Sequence, residues 1–89
     1  MPNLETFLTL YTEELTRSVR EKPGEYSYPE AEVPTVMGRI RTAIERGNTF
    51  GGVNKDSCAI RRLCKRLGIK HTYKAIDAYL RGEYLPGAT

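Results

Sequence analysis

Residues 55–67 read Lys55-Asp56-Ser57-Cys58-Ala59-Ile60-Arg61-Arg62-Leu63-Cys64-Lys65-Arg66-Leu67, and Gly68 follows. Turned by about 100° per residue, Ala59, Ile60, Leu63, Cys64 and Leu67 gather on one side, while Arg61, Arg62, Lys65 and Arg66 fill an arc of about 140° on the other. The spacing predicts a helix with one buried stripe and one wholly basic face. Asn54 or Asp56 is placed to cap its start, and Gly68 to end it.

Working outward, Ile69 bridges to a second amphipathic run over 72–81. Thr72 is its N-cap, and Ala75, Ile76, Tyr79 and Leu80 face inward. Upstream, Pro34 suits the first turn of a helix over 34–46 that carries Val36, Met37, Ile40, Ala43 and Ile44 on one face and closes at Gly47. The first helix spans 4–22, with Leu4, Phe7, Leu8, Tyr11, Leu15 and Val19 in its stripe, Asn3 as N-cap and Pro23-Gly24 as its stop. Leu10 points away from that stripe and reads either as an ordinary exposed leucine or as the edge of a contact with a partner or a second copy. Between the first two helices Tyr26 and Tyr28 anchor an ordered loop, and Phe50 tucks under the core from the loop 48–53. The tail 82–89, with Pro86-Gly87, is expected to fray.

These elements define a single all-α domain of residues 1–89. Four helices are expected, with the second to fourth forming a helix-turn-helix-like core and the first packed across it. The chain has 89 residues, 39% of them hydrophobic and 28% charged, with no Trp. A core of this size leaves only a few kcal/mol of net stability, which disfavours an elaborate buried active site. No stretch reaches the roughly 20 apolar residues that cross a bilayer, and Met1 to Glu5 lack the basic and apolar regions of a signal peptide. The expected setting is the cytoplasm, without membrane attachment.

Catalysis is not expected. His71, the single histidine, stands among Lys70, Thr72 and Lys74 with no carboxylate or thiol partner in its segment. The pairs Glu13-Glu14 and Glu30 with Glu32 read as a solvated helix face and a loop. Cys58 and Cys64, six residues apart on one helix, have Cα atoms roughly 9 Å apart and cannot bridge. Both lie near the apolar stripe and read as small buried hydrophobes in a reducing compartment. One His and two misaligned Cys make no metal site, and no cofactor is implied. The run Gly51-Gly52-Val53-Asn54-Lys55-Asp56-Ser57 lacks the Walker spacing and contains an anion-repelling Asp56. It reads as a helix entry loop, with Lys55 able to touch one phosphate.

Charge is the functional signal. Residues 1–54 hold six Lys/Arg against eight Asp/Glu, a net of −2; residues 55–89 hold eight against three, a net of +5. Within the third helix no acid lies three or four residues from Arg61, Arg62, Lys65 or Arg66. Lys70, His71 and Lys74 continue the same character. A solvated face would tolerate Lys65 and Arg66 near the helix C-terminus, but four unpartnered cations repel one another and favour a polyanionic or acidic partner. The candidate binding residues are therefore Lys55, Arg61, Arg62, Lys65, Arg66, Lys70, His71 and Lys74.

The stretch Ile60-Arg61-Arg62-Leu63-Cys64-Lys65-Arg66-Leu67-Gly68-Ile69 resembles the first helix and turn of a helix-turn-helix unit. The small Cys64 stands four before the turn glycine, and Leu63, Leu67 and Ile69 fill apolar positions. The resemblance covers residues 60–80 and departs from the family at Lys74 and Asp77, where apolar residues belong. The run Lys55 to Leu80 also resembles short uncharacterised proteins of phages and mobile elements, a group that includes helix-turn-helix regulators and small anti-CRISPR inhibitors. Together these imply non-enzymatic binding: sequence-tolerant association with DNA or RNA, or alternatively inhibition of a host defence complex through the same face. A regulator of the first kind would tend to form a homodimer.

Overall fold

The computed structural model describes residues 2–50 and 57–86, and among them it contains four α-helices and no strand. These are α1 (Leu4–Glu21), α2 (Val33–Glu45), α3 (Ser57–Leu67) and α4 (Tyr73–Leu80). An all-α small domain is what the apolar periodicity dictates. The boundaries move by one or two residues, as helix ends commonly do. Val33 joins α2 and is buried, whereas Val36 and Ala43 are only partly covered. Asn54, Lys55 and Asp56, with the glycine loop before them, lie outside the described residues.

Helix α1 is the element on which α3 and α2 assemble. Its principal neighbour is α3, and α2 packs on it next. Leu4, Phe7, Leu8, Tyr11, Leu15 and Val19 are all buried, which turns the stripe read from the sequence into the spine of the core. Leu10 is partly buried against that core rather than directed away from it. The helix therefore covers a wider arc than that six-residue stripe alone.

The connections are held by short-range chemistry. After α1 the chain makes two single 3₁₀ turns, Pro23–Glu25 and Glu30–Glu32, and between them Tyr26 and Tyr28 meet edge to face, centroids 5.9 Å apart. Both rings pack on the core, so the loop is anchored as its composition suggested. Arg20 and Glu30 form a forked ion pair over the loop, and Arg41 and Glu5 form another between α2 and α1. Exposed pairs of this kind are screened by solvent and add little to stability.

Phe50 is fully buried. It meets Phe7 and Tyr11 edge-on at 5.1 and 5.5 Å, and its backbone N–H donates to Asp77 Oδ1 at 2.9 Å. The half-buried Asp77, a departure from the helix-turn-helix pattern, thus ties α4 to the chain segment ahead of α3.

Gly68 ends α3 with φ +70°. Its N–H donates to Lys65 O and that of Ile69 to Cys64 O, the paired bonds of a Schellman turn. The same pattern recurs after α2 at Gly47 and after α4 at Gly82. Thr72 caps α4 as expected, its Oγ1 accepting from Ala75 N at 3.0 Å.

Asn3 behaves differently from the expectation. It occupies the cap position of α1 without a side-chain capping bond, and its Nδ2 donates instead to Tyr79 O at 2.8 Å. That bond joins the start of α1 to the end of α4, where Pro2 also lies close over Gly82. Of the tail, residues 87–89 lie outside the described residues, and residues 82–84 are held by hydrogen bonds. Glu83 N donates to Ala78 O, and the half-buried Tyr84 accepts Lys70 N–H on its hydroxyl.

Candidate functional site

The basic face of α3 divides lengthwise. Arg62 and Arg66, on the edge that leans toward α1, are engaged within the protein. Arg62 Nε donates to Glu14 Oε1 at 2.6 Å, and its Nη2 reaches Glu14 O and Ser18 Oγ. Arg66 Nη1 donates to Glu14 Oε2 at 3.0 Å and lies 2.9 Å from Glu13 Oε1. The Glu14 side chain is only 9% exposed. Burial alone would raise its carboxyl pKa, but the hydrogen bonds and charges of the two guanidiniums outweigh that, and it lies below its ordinary value of 4.5.

Two expectations are corrected here. Glu14 does not belong to a solvated face, and Arg62 and Arg66 are not unpartnered cations. The acids absent from α3 come from α1, a tertiary pairing that helix spacing cannot show. A signal was nevertheless present in α1, because Glu14 and Ser18 fill stripe positions next to Tyr11, Leu15 and Val19. Polar residues on an apolar stripe need buried partners.

Arg61 and Lys65, one turn apart on the other edge, are exposed, and among the described residues neither is ion-paired. Cys58 shares this edge and is exposed, so of the two cysteines only Cys64 is the buried hydrophobe expected. Burial pushes the Cys64 thiol up to about 11. Both cysteines are free.

Lys70, His71 and Lys74 are exposed on the turn and at the beginning of α4. His71 lines a small cleft with Ile60, Thr72 and Tyr73. Tyr73, absent from the residues expected to bind, is 40% exposed at the rim of this cleft, and its ring meets Phe50 at 6.1 Å. Lys55 lies outside the described residues.

No group of three or more His, Cys, Asp or Glu among the described residues is placed to hold a metal ion, and no helix among them is long and apolar enough to cross a membrane. No protein-family model matches the sequence, and neither a curated protein nor a solved structure matches it.

Proposed function

We propose that this is a non-enzymatic nucleic-acid-binding domain that holds backbone phosphates with Arg61, Lys65, Lys70 and Lys74, with little dependence on base sequence. The observation that carries the reading is the one-sided engagement of the basic residues. Arg62 and Arg66 are consumed by Glu13 and Glu14, yet Arg61, Lys65 and Lys74 remain exposed with no acidic partner among the described residues. A surface that served stability alone would gain from pairing them as well, since like charges a turn apart destabilise a helix. Phosphate contacts of this kind supply affinity without sequence information.

Base-specific readout is disfavoured. α4 is only eight residues long, and its start offers few polar side chains able to reach base edges. Arg62 and Arg66, which would widen the phosphate footprint, are turned to α1.

Electrophoretic mobility shift with DNA and RNA, single-stranded and duplex, at low and moderate salt tests the reading. Retarded bands are expected at low salt and released as salt rises, with similar affinity for unrelated sequences. An absence of any shift at low salt overturns it. In that case, salt-sensitive capture of an acidic protein complex would point to the inhibitor reading, in which the same cations meet a protein surface.

A further inference from the structure

The cleft beside Tyr73 is not explained by phosphate contacts, and it bears on which form of nucleic acid the surface takes. We infer that Tyr73 is a base-stacking platform and that the preferred ligand is a single strand; this inference rests on the phosphate-binding reading above.

Tyr73 is one of two large hydrophobic side chains that stand exposed among the described residues, the other being Leu85 near the C-terminus. Its ring meets Phe50 in a tilted contact, and Phe50 is itself held by Phe7, Tyr11 and the bond from its N–H to Asp77. An aromatic side chain fixed in this way gives up little conformational entropy when a flat ligand lands on it. Positive charge lies close by. Lys74 follows Tyr73 directly in the chain, and Arg61 follows Ile60, which also lines the cleft.

The occupant this combination fits has flat apolar faces joined by a regularly spaced anionic backbone. In a duplex the base faces are stacked on one another and inaccessible, so only phosphates would engage. A single strand offers both, and exposed aromatics flanked by cations are the general means of holding one without reading its sequence. Thr72 Oγ1 already accepts the Ala75 N–H as the cap of α4, and its O–H hydrogen remains able to donate.

The test measures fluorescence anisotropy of labelled oligo(dT) and oligo(rU), each of about 15 nucleotides to match ordinary site sizes, and of a mixed-sequence duplex of equal length. Wild type is expected to bind at least one of the single strands more tightly than the duplex. Tyr73→Ala should weaken that binding by about fivefold or more while leaving duplex affinity unchanged, and Tyr73→Phe should behave as wild type. An equal loss on both ligands, or no loss, overturns the stacking role and leaves the phosphate reading standing. Failure of wild type to bind any of the three removes the phosphate reading itself.

Because Tyr73 touches the core, a second variant guards against misfolding. The chain has no Trp, so Tyr73→Trp introduces a single indole. Its fluorescence is expected to be quenched on saturation with oligo(dT) or oligo(rU). Emission unchanged at saturation contradicts stacking.

Discussion

Arg62 and Glu14 are joined side chain to side chain across the α1–α3 interface, with Nε 2.6 Å from Oε1, and Arg66 takes the other carboxylate oxygen at 3.0 Å. The carboxylate sits 9% exposed at the seam of the two helices that pack most extensively. It converts half of a basic face into part of the fold.

Removing that carboxylate should therefore act on stability. Glu14→Ala leaves Arg62 with only Ser18 Oγ and the backbone oxygen of residue 14, and is expected to cost about 2 kcal/mol, less than a fully buried pair because the Arg62 side chain is 28% exposed. Urea melts of wild type and variant measure it. An unchanged midpoint would mean the pair contributes nothing net.

The same group sets an acid response. The folded pKa of Glu14 is below the ordinary 4.5, so its contribution is fully present above about pH 4.5 and fades as pH falls through the folded value. Glu14→Gln lacks the titrating group, and its stability should fall less steeply than that of wild type between roughly pH 5 and 3. Parallel curves would exclude Glu14 as the group responsible. The lowered carboxyls of Glu5, Glu21 and Glu30 belong to exposed pairs that solvent screens.

Asp77 offers a cleaner test of α4. Asp77→Asn keeps an oxygen for Phe50 N–H and should be mild, whereas Asp77→Ala leaves that N–H unpaired and should cost about 1–3 kcal/mol. Equal thermal melts for the two would show that the bond does not secure α4.

The cysteines separate by reactivity. Exposed Cys58 should react with a thiol reagent within the native protein, and Cys64, buried with its thiol pushed up to about 11, only on unfolding. In stability, Cys58→Ala should be near neutral and Cys64→Ala should open a small void, costing about 1 kcal/mol. Equal midpoints or two equally fast thiols would contradict this placement.

How far the sequence reveals this protein follows from the range of the forces involved. Helices are legible because burial imposes a local period, as in Phe7, Tyr11 and Leu15, and so are the turn at Gly68 and the cap at Thr72, which depend on a few adjacent residues. Pairings across helices are not. Glu14 with Arg62, Asn3 with Tyr79 and Asp77 with Phe50 join residues far apart in the chain, and no periodicity encodes them. A basic surface drawn from helix spacing is therefore too wide at Arg62 and Arg66. Tyr73 escapes a reading of the sequence because an aromatic at a helix start implies packing until its exposure is known.

On the proposed function, Arg61 and Lys65 serve a ligand, whereas Arg62 and Arg66 are paired within the fold. The slope of log affinity against log salt on duplex DNA separates them directly. Arg61→Gln with Lys65→Gln should leave the urea midpoint near wild type and flatten that slope by about 0.9 for each phosphate no longer neutralised. Arg62→Gln with Arg66→Gln should do the reverse, lowering the midpoint and leaving the slope as it was. A slope unchanged by replacement of Arg61 and Lys65, or flattened equally by both pairs, would contradict the division.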